Sequence, residues 1–128
     1  MQLRYAVLSD FANVTQDGKV NIIGLFDTLY SLNFPAVHRS LCLITSLQSE
    51  PEDDNQTRDI KVDLIDEDGL SLATLNGALS LGRGRQVVNQ IHVFHDLRFS
   101  KPGRYQFTIF LDGLHAKTVD LELVQSRN

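Results

Sequence analysis

The sequence predicts an all-β fold: one domain over residues 1–128, built as a two-sheet antiparallel β-sandwich, immunoglobulin-like, with seven to eight strands. Three observations lead to this prediction. Apolar and polar residues alternate along most of the chain, which is the pattern of half-buried strands. Turn sequences with glycine separate these segments at intervals of roughly 10 to 15 residues. Helical periodicity is limited to one or two turns, and strands with one apolar face favour a sandwich over a barrel.

The first two strands are predicted to form a β-hairpin. Apolar side chains alternate over residues 3–11, and the pattern resumes at residues 20–22. Between them, Asp17-Gly18 supplies the positive φ angles of a tight turn. Ile23-Gly24 then shifts the phase, which predicts a bulge or a bend. Alternation continues on the new phase until Pro35, which ends the strand or marks a sheet edge.

Three strands are predicted in the middle of the chain, at residues 41–47, 60–64 and 70–74. A polar loop over residues 49–55 separates the first two. The sequence Asp66-Glu67-Asp68-Gly69 is a hairpin-type turn between the second and third. Residues 76–85 contain three glycines and are predicted to be a loop or an irregular edge.

The final strands are predicted at residues 87–99, 105–111 and 119–123, and residues 125–128 are predicted to be a free tail. Turns at residues 100–103 and at Asp112-Gly113 separate them. The segment FSKPGRYQFTIFLDG resembles the penultimate strand of immunoglobulin-like domains, where a turn with glycine precedes a tyrosine. The cysteine pair and core tryptophan of those domains are missing from this sequence.

Composition indicates a globular protein and disfavours two classes of partner. Hydrophobic residues make up 42% of the chain and charged residues 22%, as in ordinary globular domains. The net charge of −4 disfavours nucleic acid, and no apolar run approaches the roughly 18 residues of a membrane span. The first residues lack the pattern of a secretory signal, and Cys42 is the single cysteine. We therefore expect a cytoplasmic protein.

Charge is unevenly distributed along the sequence. Residues 50–69 hold nine acidic side chains and two basic ones, a balance of −7, so the remainder carries +3. The basic region comprises Arg83, Arg85, Arg98, Lys101 and Arg104. This distribution predicts a molecule with an acidic and a basic end.

Two segments together resemble a known family. They are YAVLSDFANVTQDGKVNIIGLFDTL near the start and FSKPGRYQFTIFLDG near the end. The first carries a DxAxVxxDGKxNIIGxFD-like hairpin, and the second carries Gly103, Tyr105 and Phe107. The pattern resembles an uncharacterised family of small bacterial proteins, known only as a domain of unknown function. The resemblance implies a bacterial cytosolic β-sandwich and supplies no catalytic residues.

The acidic segment contains candidate calcium ligands, which are Glu52, Asp53, Asp54, Asp66 and Asp68. Calcium takes about six to eight oxygen ligands, and loops at one end of a sandwich can supply several carboxylates. The two loops flank a single predicted strand, however, which places them at opposite ends of it. The alternative interpretation is that these are solvated turns that keep the protein soluble.

The sequence Gly82-Arg83-Gly84-Arg85 is a candidate anion site. Exposed backbone amides beside the guanidinium groups of Arg83 and Arg85 would attract phosphate or carboxylate. The run precedes a predicted strand and lacks the Lys-Ser/Thr ending of a phosphate loop. A flexible solvated loop is the alternative.

No constellation of residues in the sequence indicates catalysis. His92 and His95 are three apart on a predicted strand and therefore point to opposite faces, so they do not chelate one metal. Cys42 lies between two leucines, a setting that keeps a thiol protonated. We predict no catalytic residues and no cofactor.

The leading hypothesis is a non-enzymatic interaction module. The acidic segment and the basic region offer complementary surfaces for a protein partner or for a second copy of the chain. The alternatives are a calcium-binding sandwich that uses the acidic loops, and a binder of anions or small molecules that uses residues 82–85.

Overall fold

The structure is a computed structural model that describes residues 1–127, and within them it has nine strands and one 3-10 turn, Pro51–Asp53. The strands are β1 (Gln2–Val14), β2 (Val20–Phe26), β3 (Thr28–Ser31), β4 (Ala36–Gln48), β5 (Thr57–Ile65), β6 (Ser71–Ser80), β7 (Val87–Phe99), β8 (Gly103–Leu111) and β9 (Leu114–Gln125). They form a four-stranded sheet in the order β2-β1-β4-β7 and a five-stranded sheet in the order β3-β9-β8-β5-β6.

This architecture confirms the predicted all-β sandwich, with more strands than the seven to eight expected. All strand pairs are antiparallel except β3 with β9, which are parallel. The immunoglobulin-like assignment stays a prediction. No helix in the described part of the chain has the length and apolar character needed to cross a bilayer.

The main hydrophobic core lies between the two sheets. Alternate residues of the central strands are fully buried there, including Leu41 and Leu43 of β4 and Val62 and Leu64 of β5. Such alternation arises because successive side chains on a strand point to opposite faces. The core therefore takes the inward-facing residues that the apolar alternation predicted.

Aromatic pairs join the two sheets across this core. The ring of Phe94 on β7 lies 5.2 Å from that of Phe107 on β8, and Phe99 lies 4.8 Å from Tyr105, both edge to face. The Tyr105 hydroxyl also donates to the backbone carbonyl of Lys101, at 2.7 Å. The turn between β7 and β8 thus carries the chain from one sheet to the other. Tyr105 stabilises this turn, because its ring packs against Phe99 and its hydroxyl bonds to Lys101.

The predicted first hairpin is present, and we call strands β1 and β2 together the ribbon. Its register is constant from Leu8 opposite Phe26 to Val14 opposite Val20. At the tip, the Thr15 amide donates to the Lys19 carbonyl, and Gly18 has a φ of +87°. The Asp17-Gly18 turn is therefore confirmed.

A second buried cluster lies on the other face of the four-stranded sheet. It contains Cys42 and Ile44 of β4, which alternate with Leu41 and Leu43 of the main core, together with Ala12 of the ribbon. Five partly buried side chains pack against it: Tyr5, Val7, Val20, Ile22 and Ile91. The ribbon therefore covers the face of β4 that points away from the second sheet.

One side of the ribbon reaches both clusters, which requires a sharp bend. Leu8 and Phe26 are opposite each other and pack in the main core, whereas Ala12 and Ile22, on the same side, pack in the second cluster. Gly24 lies between these pairs with a φ of +73°, and a Cβ built there would collide with the Asp10 carboxylate. The predicted phase shift is thus a bend in a ribbon of unbroken register.

Several predicted boundaries differ from the structure. Residues 76–80, predicted to be a loop or an irregular edge, continue the edge strand β6, because pairing with β5 outweighs the local preference of Gly77. The predicted tail begins too early. Gln125 is the last residue of β9, and the Ser126 amide donates to the Ser31 carbonyl, while Asn128 lies outside the described residues.

Gly24→Ala is expected to destabilise the fold more than Gly18→Ala. Both glycines have positive φ, which costs an alanine about 1–2 kcal/mol, but only Gly24 is crowded by Asp10. We expect Gly24→Ala to lose about 2–4 kcal/mol of unfolding free energy in urea titrations. In an Asp10→Ala background, Gly24→Ala should lower the unfolding free energy by less than it does in the wild type. Equal losses of unfolding free energy for Gly24→Ala and Gly18→Ala would contradict the bend.

Candidate functional site

Two loops meet at one end of the sandwich, and both were predicted to bind ions. Residues 49–56 connect β4 to β5, and residues 81–86 connect β6 to β7. The Ser49 amide donates to the Gln86 carbonyl at 2.9 Å, and the Asn55 amide donates to the Gly82 carbonyl at 3.1 Å. The first acidic loop and the glycine-arginine loop therefore form one bonded unit.

Two backbone amides of the glycine-arginine loop already have acceptors. The Gly84 amide donates to Asp54 Oδ1 at 3.1 Å, and the Gly82 amide donates to Gln86 Oε1 at 3.3 Å. Asp54 thus takes up the Gly84 amide that an anion would need. The anion hypothesis stays a prediction, and the amides of the two glycines do not support it.

Arg85 lines a cavity of about 520 Å³ between the two loops. Glu50 and Asp54 also line it, together with Gln48 and Gly84. Two carboxylates beside one guanidinium make this cavity a poor host for an anion, because like charges repel at close range.

Asp53 is a buried structural carboxylate. Its side chain is 1% exposed and accepts from the Glu50 amide at 2.7 Å, the Met1 ammonium at 2.9 Å and Arg58 Nε at 2.9 Å. Burial would raise the pKa of Asp53, but these three donors outweigh it and hold the pKa below its ordinary value. A carboxylate held by two internal cations and one amide offers little to a calcium ion.

The second acidic loop is also satisfied internally. Asp66 Oδ1 accepts from the amides of Asp68 and Leu70, each at 2.9 Å, which closes the turn between β5 and β6. Glu67 Oε1 accepts from the Arg104 amide at 2.7 Å, and Lys101 Nζ lies 3.4 Å from Asp68 Oδ2. The acidic turn therefore packs beside the turn that connects β7 to β8.

The structure does not bring the candidate calcium ligands together. Glu52, Asp53 and Asp54 precede β5, and Asp66 and Asp68 follow it, so the nine residues of that strand separate the two groups. Within residues 1–127, no three side chains of His, Cys, Asp or Glu form a group that could hold a metal ion. The calcium alternative therefore lacks the convergence of loops on which it depended.

The predicted separation of charge is wrong. Lys101 and Arg104 of the basic region contact the second acidic loop, and the loop that contains Arg83 and Arg85 is bonded to the first one. The fold brings together residues that are 30 or more positions apart in the sequence. A count of charges along a short segment cannot detect such contacts. Acidic and basic groups therefore occur together at both ends of the molecule.

The two histidines of β7 lie on opposite faces of the strand, as their spacing predicted. His92 points inward and is hydrogen-bonded to Thr45 Oγ1 at 3.0 Å, whereas His95 is exposed on the other face of β7. Cys42 is buried in the second cluster, and burial raises the pKa of its thiol. The thiol is therefore protonated at neutral pH.

The most conspicuous exposed feature is an apolar surface on the outer side of the ribbon. Phe11, Ile23 and Leu25 are 51%, 59% and 64% exposed, and Phe11 lies directly opposite Ile23 in the register. We call these three residues the ribbon surface. Sequence reasoning missed it because both sides of the ribbon are apolar, so alternation alone cannot show which side faces solvent.

The ribbon surface adjoins an unprotected sheet edge. Strand β2 is the terminal strand of its sheet, and its outer edge has no partner strand in the described residues. Its sequence, VNIIGLF, contains neither a charged residue nor a proline. Proteins commonly place such residues on exposed edges to block pairing with other chains. Their absence leaves this edge open to an additional strand.

Asp53→Asn is expected to lower the unfolding free energy at neutral pH by about 3 kcal/mol, because it removes the counter-charge of the Met1 ammonium and leaves Arg58 with Asp112 alone, 3.4 Å away. The pKa of Asp53 lies below its ordinary value of 3.8 in the folded state. The contribution of the Asp53 carboxylate to the unfolding free energy is therefore complete above pH 3.8. This contribution disappears as the pH falls through the lowered pKa.

Urea unfolding between pH 7 and pH values below 3.8 measures both effects. The variant should lose part of the acid dependence of the wild type. Asp59→Asn is the matched control, since the Asp59 carboxylate is exposed and forms no ion pair in the described residues. An Asp53→Asn protein as stable as the control would contradict the role of this carboxylate.

Comparisons with known proteins place the chain in a family. A family of unknown function, DUF6941, matches residues 4–124. The comparison with curated proteins finds no match. A solved structure of Pseudomonas fluorescens alkylpurine DNA glycosylase AlkC, bound to DNA containing an abasic site analogue, is similar at 15% identity and a TM-score of 0.47, and the match covers 94% of this chain and 30% of that one. The family match confirms the resemblance to an uncharacterised domain, and the chain belongs to the DUF6941 family.

Proposed function

We propose that this domain is a non-enzymatic module of the bacterial cytoplasm that acts by protein–protein contact, and that it self-associates through the ribbon surface and the edge of β2. Its partner is a protein, not nucleic acid or a membrane. The observation that carries the proposal is the exposed apolar triplet of Phe11, Ile23 and Leu25 beside an uncharged, unpaired edge strand. Contiguous apolar surface of this kind is typical of interaction sites.

A second copy of the chain fits this edge well. Two β2 strands can pair antiparallel across a twofold axis, which uses the same residues from each copy and closes into a dimer. Main-chain hydrogen bonds then join the two four-stranded sheets, and the ribbon surfaces of both copies lie next to each other. With the axis at Ile23, the Ile23 side chains of the two copies meet each other, and Leu25 of each copy lies opposite Asn21 of the other.

The charges that flank β2 favour the same arrangement. Lys19 precedes the strand and Asp27 follows it, and both are exposed. In an antiparallel pair centred on Ile23, Lys19 of one copy lies opposite Asp27 of the other. Two such exposed pairs add about 0.2–1 kcal/mol each, and they select this register over shifted ones.

Ile23→Lys should abolish self-association. A lysine at the centre of the paired edge would place like charges together at the twofold axis. Light scattering coupled to size exclusion, over a concentration series, should show a mass near twice 14.4 kDa for the wild type and 14.4 kDa for the variant. Leu114→Lys is the matched control, because Leu114 is 74% exposed but lies at the turn between β8 and β9.

A charge reversal tests the register. Lys19→Asp alone should weaken the dimer, and Lys19→Asp combined with Asp27→Lys should restore it, since the pair is inverted but still complementary. A wild-type protein that remains 14.4 kDa at all concentrations would overturn self-association. A dimer that is insensitive to Ile23→Lys would place the interface elsewhere.

A further inference from the structure

The sandwich has an open side between β6 and β7, which are the edge strands of different sheets. A cleft of about 240 Å³ enters the molecule there and reaches Ile60 and Val62, both buried residues of the main core. Gly77 lines one wall, and Gln90 and His92 line the other. Neither the fold nor self-association through β2 requires this cleft.

Gly77 leaves the space that forms the cleft. It lies opposite Ile60 in the β5–β6 register, on the inward-facing row of β6 that also contains Leu75 and Leu79. Its φ is outside the left-handed region, and a Cβ there would meet only Ile60 Cγ2, at 3.4 Å. The backbone does not demand glycine at this position, and the missing side chain leaves the space of the cleft above Ile60. A glycine within a strand often marks a site where a ligand or another backbone approaches closely.

The wall of the cleft that β7 forms has polar side chains on an inward-facing row, where apolar core residues are expected. The inward row of β7 runs Val88, Gln90, His92 and Phe94, and its first and last members pack in the main core. His92 is hydrogen-bonded to Thr45, but Gln90 Oε1 is buried and has no hydrogen-bond partner within residues 1–127. A buried acceptor without a donor is costly, typically by about 1–3 kcal/mol.

The chemistry of the walls limits what can bind. The side chains that line the cleft carry no formal charge, and burial lowers the pKa of His92, so its ring is neutral at pH 7. A charged ligand would lose its hydration without gaining a counter-charge. The volume lies below the roughly 300–1,000 Å³ of drug-sized pockets and suits a molecule with about one ring.

We propose that the β6–β7 cleft binds a small uncharged molecule that has an apolar body and at least one hydrogen-bond donor. The body contacts Ile60 and Val62 beside Gly77, and the donor bonds to Gln90 Oε1. This site is independent of the self-association proposed above, since the cleft lies at the β6 and β7 edges and not at β2.

Benzyl alcohol, toluene, benzylamine and benzoate are suitable probes, because they share one ring and differ in the donor and in charge. Binding is followed by NMR through the side-chain amide of Gln90 and the imidazole of His92. Benzyl alcohol should shift both resonances in a saturable way. Toluene should bind about fivefold more weakly, the equivalent of one hydrogen bond, and the two charged probes should not bind.

Three variants locate the site. Gly77→Val fills the cleft and should abolish binding of benzyl alcohol, whereas Ser80→Val, at an exposed position of the same strand outside the cleft lining, should leave it unchanged. Gln90→Leu should remove the preference for benzyl alcohol over toluene, and this variant carries the test if Gly77→Val does not fold.

Three results would overturn the proposal. The first is the absence of a saturable shift with any probe. The second is unchanged binding in a folded Gly77→Val protein. The third is equal affinity of the wild type for benzyl alcohol and toluene, which would mean that water satisfies Gln90.

Discussion

The space above Gly24 is occupied by the Asp10 carboxylate, and the arrangement of the four-stranded sheet depends on that contact. Because position 24 has no side chain and adopts positive φ, the ribbon bends there without losing its register. The bend carries Ala12 and Ile22 onto the face of β4 that a simple sandwich would leave in solvent. It explains why β4 is buried continuously from Leu41 to Leu47, since both of its faces are covered.

The same bend determines what the ribbon exposes. When the side chains on one side of a two-stranded ribbon pack into buried clusters, those on the other side point away from the clusters. Phe11, Ile23 and Leu25 therefore face solvent although they are as apolar as their buried neighbours. Since pairing between β1 and β4 ends at Ser9 and Cys42, the outer half of the ribbon is held only by β1–β2 hydrogen bonds and the second cluster. A second copy along β2 would add support where the sheet is narrowest.

Local chemistry was predictable from the sequence, and contacts between distant segments were not. Asp17-Gly18 and Asp112-Gly113 could be assigned to turns because tight hairpins select residues that tolerate positive φ, as Gly18, Asp112 and Gly113 do here. The strand containing Gly77 could not be recognised, because its pairing with Ile60 stabilises a residue that locally resembles a loop. The contact of Glu67 with the Arg104 amide spans 37 positions, so a charge count along the chain separated groups that the fold joins. The ribbon surface was missed because the choice between two apolar sides depends on the bend.

The two lateral sides of the sandwich, where edge strands of different sheets lie beside each other, differ in how these strands are connected. On one side, a single residue, Asp27, connects β2 of one sheet to β3 of the other, and its carbonyl accepts from the Glu122 amide at 2.9 Å. The parallel pairing of β3 with β9 then closes this side with backbone hydrogen bonds. On the other side, β6 and β7 are joined only through the loop at one end, so the sheets separate beyond it and leave the cleft. The first side therefore presents the β2 edge, where we propose that a second copy pairs, and the second side presents the cleft, where we propose that a small molecule binds.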